Sequence, residues 1–235
     1  MKVIDNKALL LRLRDPSKVT DVIPKSKELS GNRVVVNWGV DEAHVLKNLD
    51  IHAPSPIEGK YKWTGKHQPF KHQKTTAGFL TLNKRAFCFN EQGTGKTASA
   101  IWAADFLMNQ GRINRVLVVC PLSIMDSAWR EDLFTFAMHR KVDVAYGTAK
   151  KRAQIIESDA EFVIINYDGV AIASEAIANG GFDLVIVDEA THYKNAQTDR
   201  WKTLNSLLGP DKWLWMMTGT PAAQSPLDAY GLAKL

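Results

Sequence analysis

From about residue 70 onward, apolar runs of strand length alternate with segments of helical period, and no other feature of the 235-residue chain limits its fold so tightly. Residues 86–90 precede a helical segment at 97–108, and residues 116–121 precede another at 127–137. Further apolar runs lie at 142–146, 162–167, 184–187 and 213–218, with helical candidates between most of them. The runs are rich in Val, Ile, Phe and Leu and barely alternate with polar residues, as strands buried on both faces do. The pattern predicts an α/β fold, a mainly parallel sheet flanked by helices on both sides. Ligands of such sheets gather at the carboxyl ends of the strands.

Residues 1–58 read differently. Two short apolar runs, 8–11 and 33–38, are separated by the turn-formers Asp15-Pro16-Ser17, Pro24 and Ser30-Gly31-Asn32. That predicts a small β-rich element. A short helix at 41–49 follows, with Asp41 as its expected N-cap. His52-Ala53-Pro54-Ser55-Pro56 then denies the backbone its donors, so the boundary between an accessory element (1–58) and the main domain (59–235) is placed there. Residues 1–72 hold 13 Lys/Arg against 8 Asp/Glu, so the whole net charge of +5 precedes the alternating core. A basic flank suits a polyanion, and it equally suits an ordinary solvated surface.

The two cysteines, Cys88 and Cys120, both sit in apolar runs, which points to buried thiols in a reducing compartment. The first ten residues carry Lys2, Asp5 and Lys7 and do not read as a signal peptide. No run of about 18 apolar residues occurs. A soluble, intracellular protein is expected.

Asn90-Glu91-Gln92-Gly93-Thr94-Gly95-Lys96-Thr97 follows a strand and opens a helix, the setting a phosphate-binding loop requires. Gly93 and Gly95 let successive amides turn toward an anion, and the helix N-terminus behind them adds its dipole. Lys96 is placed to reach β- and γ-phosphates, and the Thr97 hydroxyl to ligate Mg²⁺. Gln92, Thr94 and Ala98 complete the expected ATP-binding segment. The first glycine of the usual pattern is replaced by Asn90, a residue that tolerates left-handed backbone. A glycine-rich turn before an ordinary helix is the alternative for this loop alone.

Residues 184–187 end in Asp188-Glu189-Ala190-Thr191. An acidic pair at the tip of a buried strand is costly unless a cation or a reaction uses it. Asp188 is the expected Mg²⁺ ligand, and Glu189 the base that orients and deprotonates an attacking water. Helix capping by the pair is the alternative. Lys96, Asp188 and Glu189 are the expected catalytic residues.

With Thr218-Gly219-Thr220-Pro221, these residues resemble the first RecA-like domain of superfamily-two helicases, most closely the Swi/Snf family of duplex-DNA translocases. The resemblance spans about 68–235 and includes phage-encoded members; residues 1–58 lie outside it. Gln68-Pro69-Phe70-Lys71-His72-Gln73 is similar to the segment whose glutamine reads adenine, which assigns that role to Gln73. Asn90 to Thr97 resembles motif I. Val118-Val119-Cys120-Pro121-Leu122-Ser123, with Trp129 beyond it, resembles motif Ia, and Ile164-Ile165-Asn166-Tyr167 the strand end before motif II. In Asp188-Glu189-Ala190-Thr191-His192-Tyr193-Lys194-Asn195, Thr191 stands where the family has histidine, a departure that bears on the link between nucleotide state and motif III. Thr218, Gly219 and Thr220 resemble motif III, which couples the two, and Gln224, Pro226 and Leu227 continue the pattern.

The resemblance implies ATP and Mg²⁺ as cofactors and nucleic acid as partner, with Pro121, Leu122, Ser123, Asn166 and Tyr167 as backbone contacts. Lys194-Asn195 points to the duplex-DNA branch, so double-stranded DNA is the expected partner. It further implies a second RecA-like domain beyond Leu235 that supplies arginines, so that this chain alone is expected to bind ATP·Mg²⁺ and to hydrolyse it weakly. The expected compartment is the cytoplasm of a bacterium or phage-infected host. A helicase on single strands or RNA, and a non-hydrolysing nucleotide-binding module, are the alternatives. The basic and aromatic run Lys60 to His67 has three readings: a base-stacking surface, an aromatic wall for adenine, or a pin holding the linker to the core.

Overall fold

The computed structural model describes residues 1–220 and 227–235. Among them the elements run β1 (Lys2–Ile4), β2 (Ala8–Arg12), α1 (Ser17–Thr20), β3 (Lys27–Leu29), β4 (Arg33–Asn37), α2 (Val40–Asn48), α3 (Ile57–Lys60), α4 (Lys71–Thr81), β5 (Arg85–Cys88) and α5 (Lys96–Asn109). They continue with β6 (Val116–Cys120), α6 (Glu131–Phe136), β7 (Val142–Val144), α7 (Ala149–Ile156), β8 (Phe162–Asn166), α8 (Tyr167–Ile172), α9 (Ser174–Asn179), β9 (Leu184–Asp188), α10 (Asp199–Leu207), β10 (Trp213–Met217) and α11 (Leu227–Ala233).

Strands β5 to β10 form one parallel sheet in the order β5-β10-β9-β6-β8-β7. The order explains the composition. The four inner strands are buried at every position, whereas the edge strands β5 and β7 carry Arg85 and Asp143 on exposed positions. Polar residues at sheet edges keep the unpaired backbone from recruiting other strands. Successive residues point to opposite faces. Val116, Val118, Ile164, Ile186 and Trp215 join the core beneath α4, α5 and α6, while Leu117, Val119, Ile165, Val187 and Met216 join the core on the opposite face. This is the predicted α/β architecture, with strand ends shifted by one or two residues from the apolar runs.

Helix α5 is buried over eleven of its fourteen residues. Four alanines, Ala98, Ala100, Ala103 and Ala104, let it lie close to the sheet and to α4, and Trp102 and Phe106 fill the space beneath. Its first residue is Lys96, so the packing of α5 fixes where the phosphate loop ends.

The first 37 residues give the expected β-rich element, an antiparallel sheet in the order β1-β2-β4-β3 over its own core of Leu9, Leu11, Val34 and Val36. Two expectations are corrected. Helix α2 starts at Val40 with Gly39 as N-cap; Asp41 lies inside the first turn, where its charge favours the helix N-terminus and pairs with Arg112 at 2.5 Å. The helix predicted at 127–137 is broken in two. A π-helical turn spans Met125–Arg130 before α6 begins, and Met125, Trp129 and Leu133 all face the core.

No helix among the described residues is long and apolar enough to cross a membrane. Cys88 and Cys120 are both buried and unpaired, as expected of strand residues.

Candidate nucleotide-binding site

Met217, the last residue of β10, is in register with Cys88 on one side and Asp188 on the other. The loop leaving β5 and the acidic pair closing β9 therefore emerge at the same height on the carboxyl edge, with Thr218-Gly219-Thr220 between them. The Thr218 amide donates to the Cys88 carbonyl at 3.1 Å, and the Thr220 amide donates to Thr218 Oγ1 at 3.1 Å. A Cβ on Gly219 would lie 3.5 Å from the Gln92 amide nitrogen and 3.7 Å from the Asn90 carbonyl oxygen, so this residue rests against the phosphate loop. Pro221, Gln224 and Pro226 lie outside the described residues, as does the Leu227 side chain.

In the loop, Gly93 and Gly95 adopt φ of 75° and 77°, conformations an L side chain resists. A Cβ on Gly95 would also collide with the Gln73 amide. Asn90 is not left-handed, contrary to expectation. The two glycines supply the turn, and Asn90 instead donates from Nδ2 to Thr76 Oγ1 on α4 at 2.8 Å. The same helix holds the loop twice more. Gln73 donates from Nε2 to the Thr94 carbonyl at 3.3 Å, and His72 Nε2 lies 3.0 Å from that carbonyl. Gln73 Oε1 accepts the Phe70 amide at 2.9 Å, so both ends of its amide are used within the protein. Exposed Phe70 stacks on His72, 5.8 Å between ring centres, beside an opening of about 860 Å³ that reaches Phe89 and Asn90. Lys96 is buried to 8% exposure, with Nζ 3.4 Å from the Glu91 carbonyl. Thr97 is partly buried at the next position.

Across the cleft, Asp188 is only 6% exposed, and burial pushes its carboxyl above the usual range. Two donors oppose that. Oδ2 accepts the Trp129 indole N–H at 2.9 Å, and Oδ1 accepts the Glu189 amide at 3.0 Å. Glu189 has φ of 47°, a left-handed conformation that is strained for a residue with a side chain. Its side chain lines a cleft of about 330 Å³ together with Gly93, Lys96, Thr97, Asp132 and Asp188.

Asp132 and the Trp129 bond were not foreseen in this cleft. Burial, then the neighbouring Glu131 charge, pushes the Asp132 carboxyl up to about 6. No local motif announces Asp132, and the motif Ia resemblance that includes Trp129 does not link it to Asp188. The only signal is topological: β6 lies next to β9, so whatever follows β6 stands beside the acidic pair.

No cluster of three or more His, Cys, Asp or Glu with metal-binding geometry exists among the described residues. The donor set is instead one carboxylate, Asp188, with one hydroxyl, Thr97, across a cleft whose Gly93 faces open space. That set fits Mg²⁺ on a triphosphate, since Mg²⁺ takes one or two protein ligands and fills its octahedron with water and phosphate oxygens.

The expected nucleic-acid residues divide. Leu122 and Ser123 are exposed and Pro121 partly so, in the turn after β6. Asn166 and Tyr167 are buried, and the Asn166 Oδ1 and the Tyr167 hydroxyl are both bonded inside the protein. Asn166 Oδ1 accepts from Arg152 at 3.1 Å. The Tyr167 hydroxyl donates to the Asp188 carbonyl at 2.6 Å, and its ring lies 4.6 Å from that of His192. Tyr167 thus braces the acidic box from behind. In the 60–67 run, Tyr61 is buried and donates its hydroxyl to Asp105 at 2.6 Å, and Trp63 packs edge-on against Trp102. Those two contacts favour the pin among its three readings.

The SNF2-related domain family matches residues 72–235. ATP-dependent helicase fft2 of Schizosaccharomyces pombe is 30% identical over 142 residues, 56% of this chain and 11% of that protein. Putative protein p41 of Acyrthosiphon pisum secondary endosymbiont phage 1 is 26% identical over 175 residues, 70% of this chain and 38% of that one. Among solved structures, the Sulfolobus solfataricus SWI2/SNF2 ATPase core in complex with dsDNA superposes with a TM-score of 0.64 at 22% identity, covering 72% of this chain and 36% of the other. The chain thus spans well under half the length of these relatives. It belongs to the SNF2-related domain family.

Proposed function

We propose that this chain is the ATP-binding motor domain of a duplex-DNA translocase, which hydrolyses ATP when joined by a second RecA-like domain. The observation that carries the reading is the shared register of Met217 with Cys88 and Asp188, which brings three separate motifs to one edge of the sheet. In this reading the loop amides and Lys96 bind the phosphates, and Gln73, with the Phe70–His72 stack beside it, faces the base. Thr97 and Asp188 hold Mg²⁺, which neutralises charge on the phosphates. Glu189 accepts the proton of the attacking water. Gly219 leans on the phosphate loop, so a change there is felt at once by Thr218-Gly219-Thr220.

Duplex DNA is favoured by Lys194-Asn195 after the acidic box and by the dsDNA-bound relative. Leu122 and Ser123, exposed after β6, are the proposed backbone contacts, and Asn166 and Tyr167 position that edge without touching DNA. Residues 1–58 are proposed as an accessory element. Arginines from a partner domain raise phosphoryl transfer by about 10³–10⁵, so this chain alone should bind ATP and turn it over slowly. The test is the ATPase rate of the full-length protein with duplex DNA, single-stranded DNA and RNA. Stimulation by duplex supports the proposal; stimulation by RNA or single strands alone assigns the other helicase class. Nucleotide binding with no hydrolysis under any condition would leave a binding module.

A further inference from the structure

We propose that Trp129 is a positioning residue for ATP hydrolysis, locking the orientation of the Asp188 carboxylate from the neighbouring strand–helix unit. The inference rests on the ATP·Mg²⁺ reading of the site and adds a residue to it.

An aspartate carboxylate rotates broadly about its last torsion. At Asp188 each oxygen accepts one hydrogen bond, Oδ1 from the Glu189 amide at 3.0 Å and Oδ2 from Trp129 Nε1 at 2.9 Å. The first donor belongs to the adjacent residue and moves with it. The second comes from 59 positions away, on an indole with 0% exposure. A ring so enclosed cannot follow a swinging carboxylate, so the bond sets its plane. The remaining lone pairs are left to the cleft that Lys96 and Thr97 line.

Packing accounts for a large apolar side chain at this position but not for the direction of its N–H. Buried indoles need some acceptor, and in this chain a carbonyl usually serves. Trp38, Trp102, Trp201 and Trp215 donate to the carbonyls of Pro54, Thr64, Gly231 and Asn83. Among the described residues Trp129 alone donates to a carboxylate. It does so from the π-helical turn Met125–Arg130, an irregularity that is rare and recurs at functional sites.

The test uses this chain with Trp129→Phe, and with 3-benzothienylalanine incorporated at position 129, where sulfur replaces the N–H in an isosteric ring. Two quantities are read: the free Mg²⁺ concentration at half-maximal binding of a fluorescent ATP analogue, and the affinity for that analogue in EDTA. Loss of an outer hydrogen-bond partner of a metal ligand weakens metal affinity about 10–100-fold. The Mg²⁺ midpoint should rise by about tenfold or more in both variants, on the same scale, with the EDTA affinity unchanged. In an Asp188→Ala background, which removes the acceptor, Trp129→Phe should add nothing further. An unmoved midpoint in either variant, or an equal loss of affinity in EDTA, overturns the proposal. A wild-type chain without Mg²⁺-dependent binding would sink the reading of the site itself; a responsive wild type beside an unmoved variant sinks only the role of Trp129.

Discussion

Asn90 donates from Nδ2 to Thr76 Oγ1 at 2.8 Å, fastening the phosphate loop to the helix that carries Gln73. A neutral hydrogen bond contributes about 0.5–1.5 kcal/mol, which corresponds to roughly 2- to 12-fold in an equilibrium. Asn90→Ala and Thr76→Val should each weaken ATP·Mg²⁺ binding within that range, and the double variant no more than the worse single one. Fully additive losses in calorimetric titrations would show that the two residues do not act through each other.

Glu189 combines a left-handed backbone with an open path to the cleft, and strain of that kind marks functional positions. Glu189→Gln keeps shape and removes the base. In the full-length protein it should leave ATP affinity unchanged and lower turnover by about 10²–10⁴. Steady-state rates near wild type would assign the proton transfer elsewhere.

Asp132 gives a pH signature. Its carboxyl is raised to about 6 in the folded chain, from 3.8, so the folded state holds a proton that the unfolded state has released. Stability from this group is present below about pH 4 and is lost as pH rises toward 6. Asp132→Asn cannot ionise. Thermal melts should show the variant gaining on wild type as pH goes from 4 to 7, and a constant difference would contradict the assignment.

Tyr61 holds the linker by donating to buried Asp105, which also accepts from Arg140 at 2.6 Å. A hydrogen bond to a charged group contributes about 1.5–3 kcal/mol. Tyr61→Phe should lower Tm by roughly 3–12 °C in a domain of this size, without changing nucleotide affinity. An unchanged Tm would return the 60–67 run to a surface role.

The sheet was legible because Val116 to Cys120 and the other inner strands are apolar almost without a break, as strands covered on both faces are. Lys96 and Thr97 were legible from the glycine-rich loop that opens a helix, and Asp188 and Glu189 from their place at the end of an apolar run. What stayed hidden depends on strand order. Asp132 lines the cleft and Trp129 reaches Asp188 only because β6 pairs with β9, and a one-dimensional pattern does not record that neighbour. Tyr167 was expected as a backbone contact on the resemblance alone; its hydroxyl turns inward to the Asp188 carbonyl and braces the acidic box. Asn90 suggested a left-handed turn, and the two glycines after it made that unnecessary.

Lys96 and the acidic pair are proposed to form one nucleotide site. Calorimetric titration of ATP into the wild-type chain and into Lys96→Ala, with and without Mg²⁺, tests it most directly. Loss of a charge-assisted contact of about 1.5–3 kcal/mol should weaken binding roughly 10- to 150-fold, while Tm stays near wild type. Equal, Mg²⁺-independent affinity in the two proteins would contradict the account.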